Sequence, residues 1–85
     1  MNQALIIGTC GHVVAIDRRT GFEIWRTKIP LGAFGGSTRV SVKVADECVY
    51  AGASGQIFCL DLNTGKQLWH NELEGLGHNE IELAS

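Results

Sequence analysis

Val14-Ala-Ile-Asp-Arg-Arg-Thr-Gly-Phe-Glu-Ile-Trp25 recurs 44 residues later as Phe58-Cys-Leu-Asp-Leu-Asn-Thr-Gly-Lys-Gln-Leu-Trp69, and this repeat is the main indication of the fold. Aligned without gaps, the first copy extends over residues 4–29 and the second over residues 48–73. Six positions are identical: Gly8/Gly52, Gly11/Gly55, Asp17/Asp61, Thr20/Thr64, Gly21/Gly65 and Trp25/Trp69. A period of this length is typical of repeat architectures, so it constrains the fold more than any single segment does.

The segments between the turns have the character of β-strands. They are short and rich in β-branched and aromatic residues, which favours strands over helices. Residues 39–45 alternate between polar and apolar side chains, as a half-buried strand does, and Ser54-Gly55 is typical of a two-residue hairpin loop. Residues 39–73 are therefore predicted to form one complete four-stranded antiparallel sheet, with 39–45 as its inner strand.

The same turn closes both copies and contains the same three residue types: Asp17, Thr20 and Gly21 in the first copy, and Asp61, Thr64 and Gly65 in the second. The glycine is expected to adopt positive φ, which a residue with a Cβ atom resists. The aspartate is expected to accept hydrogen bonds from backbone N–H groups of the turn, and the threonine to add a hydroxyl contact. Repetition in register with Thr-Gly favours this capping role over a catalytic one.

The two quoted stretches resemble the repeat of the PQQ-like, quinoprotein-type β-propellers, a family with a tryptophan motif. The shared pattern is a small or apolar residue, any residue, Asp, three residues, Gly, three residues and Trp. The resemblance implies an all-β propeller with two blades in this 85-residue unit. It also implies that Trp25 and Trp69 pack between adjacent blades, with each indole N–H bonded to the backbone of the neighbouring blade.

Two repeats are too few to close a ring, since propellers typically have four to eight blades. Residues 80–84 match the predicted inner strand in alternation if the preceding loop is three residues shorter. We expect this segment to become the inner strand of the first blade in the next chain. Such strand exchange would give an oligomeric propeller, with eight blades in a homotetramer favoured and six in a trimer as the alternative. A fragment of a longer single-chain propeller is a further alternative.

Charged residues on the inner strands are candidates for lining the central channel. Arg39 and Lys43 belong to one type of inner strand, and Glu80 and Glu82 to the other. The favoured interpretation is that these charges pair across neighbouring strands and set their register. The alternative is a charged channel mouth that holds a small anion or polar ligand.

Composition and charge exclude several classes of partner. Seven basic and nine acidic residues give a net charge of −2, which is not the footprint of a nucleic-acid or anionic membrane surface. No stretch is long enough to be a transmembrane helix. Three cysteines without a close pair favour a reducing compartment, so a cytoplasmic location is expected.

The resemblance also raises the question of catalysis. Enzymes of the family bind their quinone with a calcium ion, an adjacent cysteine pair and a catalytic aspartate on inserted loops. This sequence has no Cys-Cys pair and no long insertion. We therefore expect no cofactor and no metal, and a non-catalytic homo-oligomeric propeller that binds a protein or a small ligand. A quinone-dependent dehydrogenase is the alternative.

Overall fold

The computed structural model describes residues 4–31, 38–77 and 81–84. This part of the chain is all-β, without a helix, as the repeat predicts. In these ranges seven strands form two antiparallel sheets, in the order β1-β2-β3 and β4-β5-β6-β7. The strands are β1 (Ala4–Thr9), β2 (His12–Asp17), β3 (Glu23–Lys28), β4 (Ser41–Ala45), β5 (Cys48–Ala53), β6 (Gln56–Asp61) and β7 (Gln67–Asn71). Within the described ranges, therefore, no helix could cross a membrane.

The two sheets repeat each other down to their irregularities. Two-residue loops close three of the hairpins with positive φ at both positions: Cys10-Gly11, Asp46-Glu47 and Ser54-Gly55. That combination matches the right-handed twist of the flanking strands. Both sheets also contain a register shift in the pairing of their last two strands, between Ala15 and Ile16 in the first sheet and between Cys59 and Leu60 in the second. The shifts are one repeat period apart, so the bulge belongs to the repeat.

The hydrophobic core lies between the two sheets. Val13 of the first sheet and Phe58 and Leu60 of the second are fully buried there. Ile6 and Trp25 pack against this core from the first sheet. The two sheets are therefore stacked, as adjacent blades of a propeller are, and neither has a separate core of its own.

The inner strand of the second sheet begins at Ser41, two residues later than the predicted range 39–45. The physical reason is that Val40 is buried and its backbone lies against Gly8 of the first sheet. The first sheet has three strands in the part of the chain that the structure describes. Its predicted fourth strand, residues 80–84, has no strand partner there, and Glu80 lies outside the described residues.

Candidate functional site: the junction between the sheets

Trp25 joins the first sheet to the second. Its indole Nε1 donates a hydrogen bond to the carbonyl oxygen of Leu62 at 2.9 Å. The ring lies over Gly65, where an added Cβ atom would be 2.5 Å from Cε3 of Trp25. Two residues further along β3, Thr27 Oγ1 donates to the carbonyl oxygen of Gly65 at 2.6 Å. One strand thus contacts the neighbouring turn through two side-chain hydrogen bonds and an aromatic ring.

The turn that receives Trp25 is held in shape by its own side chains. Asp61 Oδ1 accepts hydrogen bonds from the N–H groups of Asn63 at 2.8 Å and Thr64 at 3.3 Å. Thr64 Oγ1 accepts one from the N–H of Lys66 at 3.2 Å. Gly65 has a φ of +79°, the left-handed conformation that favours glycine. The Asp61 carboxylate is therefore engaged in the turn that presents the Leu62 and Gly65 carbonyl groups to the other sheet.

The corresponding turn of the first sheet has the same geometry. Asp17 Oδ1 accepts a hydrogen bond from the N–H of Arg19 at 2.8 Å. Thr20 Oγ1 accepts one from the N–H of Phe22 at 3.2 Å, and Gly21 has a φ of +83°. A Cβ atom added at Gly21, however, would meet no atom within 4 Å in the described structure. The receiving half of a second junction is thus formed without a tryptophan on it among the described residues.

Trp69 is the counterpart of Trp25 and has the opposite environment. It is 47% exposed, whereas Trp25 packs against the core. Register places Tyr50, Cys59 and Trp69 side by side across three strands, and the rings of Tyr50 and Trp69 have centroids 6.1 Å apart. We call this row the front face of the second sheet. It offers the tryptophan half of a junction to solvent.

The surface of the first sheet that points away from the second sheet is an exposed apolar face. We call it the back face and define it by residues that pair in register on β1 and β2, namely Leu5, Ile7, Val14 and Ile16. Leu5 is 48% exposed and Ile7 36%. The four counterparts one period later are all fully buried against the first sheet: Val49, Ala51, Phe58 and Leu60. In the second sheet, the equivalent surface is covered by the first sheet. The back face is therefore an apolar surface of the kind that a neighbouring sheet covers in this repeat.

The C-terminal segment packs on the second sheet as β4 packs on the first. Gly8 allows the close approach of Val40, and Gly52, one period later, allows the close approach of Ile81. Val40 and Ile81 are 41 residues apart, which is the three-residue shortening that the sequence predicts. Leu83 then borders a groove of ≈ 340 Å³ that Tyr50 also lines.

The candidate channel residues are spread over this same region. Lys43 lines the groove beside Leu83 on the front face, and Glu82 lines a neighbouring depression of ≈ 480 Å³ with Ser41. Arg39 precedes β4 and is exposed, and Glu80 lies outside the described residues. A role for these charges in a channel or in strand register stays a prediction.

Chemically reactive groups are few at the junction. Burial, with a smaller contribution from a hydrogen bond to Cys48, raises the pKa of Cys59 to about 11, so this thiol stays protonated at neutral pH. Across the described ranges, His, Cys, Asp and Glu form no group of three or more that could hold a metal ion. The arrangement as it stands is suited to association between sheets.

Several residues of the junction were not predicted from the sequence. Leu62 accepts the indole hydrogen bond through its backbone carbonyl group, and its buried side chain gives no signal of that role. Thr27 aligns with Asn71 in the second copy, and the mismatch conceals its role. Gly8 and Gly52 did carry a signal, because they are identical in the two copies and only a residue without a Cβ atom fits there.

Two stacked antiparallel sheets, joined by a tryptophan on one and an Asp-Thr-Gly turn on the other, define a section of a PQQ-type β-propeller. The family described as outer membrane protein assembly factor BamB matches residues 9–84, and the chain belongs to this family. The predicted relationship to PQQ-like propellers is confirmed.

Comparison with solved structures gives the same fold. BamB from Moraxella catarrhalis matches with a TM-score of 0.66 and 30% sequence identity. The match covers 81% of this chain and 20% of that protein's chain, so the present chain spans about a fifth of its length. No curated protein was found to match.

Proposed function

We propose that this chain is one unit of a non-catalytic β-propeller. Further copies of the chain complete the ring, and the ring binds other proteins. The observation that carries the proposal is the Trp25 junction, whose two halves recur unpaired within the described structure. The tryptophan half is Trp69 on the front face, and the receiving half is the turn at Gly21 beside the back face. The two halves lie on different sheets, so the contact is head-to-tail and can generate a closed ring.

Each copy would place its Trp69 on the turn of the next copy. By the repeat, Nε1 of Trp69 would donate to the carbonyl oxygen of Arg18, as Trp25 donates to Leu62. Four copies supply eight blades and three supply six, and the homotetramer is the favoured form. A section of a longer propeller, in which blades of the same polypeptide cover both surfaces, is the competing form.

The apolar surfaces provide the driving force. Covering the exposed fractions of Leu5 and Ile7 would stabilise each junction by on the order of 4 kcal/mol at about 25 cal/mol per Å². The Trp69 hydrogen bond would add about 1 kcal/mol. Association has an entropic cost that these gains offset, and closure of the ring, which adds a junction without adding a copy, favours the complete oligomer over an open dimer.

Protein docking is favoured over catalysis on two grounds. The family is described by a role in assembling outer membrane proteins, which is an action on other proteins. The aspartates of the repeat accept hydrogen bonds from their own turns, and Cys59 is a protonated thiol. A quinone-dependent enzyme would need a catalytic aspartate and a cysteine pair in addition to these residues.

The cytoplasmic location expected from the cysteines stays a prediction.

Complementary variants test the head-to-tail contact. Trp69→Ala removes the tryptophan half and keeps the back face, whereas Leu5→Glu blocks the back face and keeps Trp69. Each variant alone is expected to sediment as a monomer, and their equimolar mixture as a dimer with one intact junction. Dimers of Leu5→Glu alone would contradict the contact, since they require front faces to meet each other. Monomers in the mixture and in the unaltered chain would overturn the proposed assembly.

A second experiment tests the docking of proteins. A urea-unfolded outer membrane porin is diluted into buffer with the unaltered chain or with Trp69→Ala, and its aggregation is followed by light scattering. The assembled chain is expected to delay aggregation and to co-sediment with the porin, and the variant is expected to do neither. Equal aggregation with and without the assembled chain would contradict the docking function.

A further inference from the structure

We infer that residues 81–84 of one copy pair with strand β1 of the next copy, in the register that sets Leu83 opposite Ile7. The segment would be the fourth strand of that copy's first sheet. This inference rests on the proposed assembly and specifies which backbone segments of the two copies form hydrogen bonds with each other.

The position of Ile81 carries the argument. In the first junction, Val40 lies against Gly8, and the chain then enters β4. In the second junction, Ile81 lies against Gly52. The residues after Ile81 therefore have the same position relative to the second sheet as β4 has relative to the first sheet. A segment in this position would lie beside the first sheet of a copy that docks on the front face.

The register follows from the second sheet. Ser41 pairs with Gly52 there, and Val42 with Ala51. Ile81 corresponds to Val40. The next two residues, Glu82 and Leu83, therefore correspond to Ser41 and Val42.

On the receiving strand the correspondence is one repeat period of 44 residues. The counterparts of Gly52 and Ala51 on β1 are Gly8 and Ile7. Glu82 is therefore set opposite Gly8, and Leu83 opposite Ile7.

The receiving strand is suited to this addition. β1 forms the edge of its sheet in the part of the chain that the structure describes, and an edge strand offers its backbone N–H and C=O groups as a template. Val42, the counterpart of Leu83, packs against the core from β4. Leu83 would accordingly lie on the back face beside Ile7 and Val14, extending its apolar surface.

Cysteine trapping tests the register directly. In a background carrying Cys10→Ser, Cys48→Ser and Cys59→Ala, chains with Ile7→Cys are mixed with chains carrying Leu83→Cys and oxidised with copper phenanthroline. We expect a disulfide between the two chains on a non-reducing gel. The control replaces Leu83→Cys with Ala84→Cys, which points to the other face of the strand, and about tenfold less product is expected. Equal yields from the two mixtures would overturn the register.

A proline variant tests the strand without relying on cysteines. Leu83→Pro removes a backbone N–H group from the added strand and is expected to weaken assembly by about tenfold in concentration, whereas Leu83→Val is expected to retain it. If the ring forms but neither the disulfide nor the proline effect is seen, the strand addition is wrong and the proposed assembly stands. If the unaltered chain stays monomeric, both are wrong.

Discussion

Two glycines in equivalent turns allow the contribution of the Trp25 junction to be measured. Gly21 and Gly65 have φ values of +83° and +79°, so alanine is strained to a similar degree at either position. They differ in what a Cβ atom would contact. At Gly65 it would lie 2.5 Å from Cε3 of Trp25 and 2.7 Å from Oγ1 of Thr27, whereas at Gly21 it would meet nothing within 4 Å. Gly65→Ala should therefore be the more destabilising substitution in an unassembled chain.

The difference can be worked out from these contacts. Left-handed backbone strain costs about 1–2 kcal/mol for an alanine and applies to both variants. Gly65→Ala also displaces the indole, which loses the hydrogen bond to Leu62, about 1 kcal/mol, and part of its aromatic packing, about another 1 kcal/mol. The two variants should thus differ by about 2 kcal/mol in the free energy of unfolding.

Urea unfolding, followed by tryptophan fluorescence, measures this difference. Both substitutions are made in the Leu5→Glu background, so that assembly does not contribute to stability. With a denaturant slope of roughly 1 kcal/mol per molar urea for a chain of this size, the two midpoints should differ by about 2 M. Equal midpoints would mean that the indole of Trp25 contributes nothing to stability at the turn, contrary to this expectation.

Further outcomes follow from individual side chains. Asp61→Ala should lower the free energy of unfolding by about 1–2 kcal/mol in urea titrations, while Asp61→Asn should retain most of it, because an amide oxygen can still accept the turn hydrogen bonds. With a thiol reagent at pH 8, exposed Cys10 should react in the folded chain and Cys59 only after unfolding; equal rates would contradict its burial. The raised pKa of Cys59 also means that stability should fall between about pH 9 and 11, since the unfolded chain loses this proton first, and Cys59→Ala should remove that loss. The hydrogen bonds from Arg26 hold the pKa of Glu23 below its ordinary value. This pair should therefore contribute a small stability at neutral pH, which is lost as the pH falls through the folded-state pKa of Glu23. Glu23→Gln or added salt should abolish this contribution.

The sequence was sufficient for the strands and turns because their signals are local. The loop at Ser54-Gly55 and the strand after it are specified by residue types a few positions apart. The receiving turn was readable for the same reason, since an aspartate and a glycine at fixed spacing favour one backbone path. The repeat then extended each local prediction to a second copy.

What could not be predicted depends on contacts between the sheets. The shift of the β4 start from residue 39 to Ser41 arises because Val40 is drawn into the core against Gly8, and neither residue alone indicates that contact. The carbonyl group of Leu62 accepts from Trp25 whatever side chain the residue has. Two repeats alone imply an open apolar face at each end, but the residues that form the back face could not be identified, because they have the same apolar character as their buried counterparts.

If the front and back faces of this chain are two halves of one junction, the chain must associate in solution. Sedimentation equilibrium of the unaltered chain measures that association. We expect a mass of four chains, with three chains as the six-blade alternative, each chain being 9.2 kDa. A stable, folded species of 9.2 kDa at high concentration would contradict it, since both faces would then remain exposed to water.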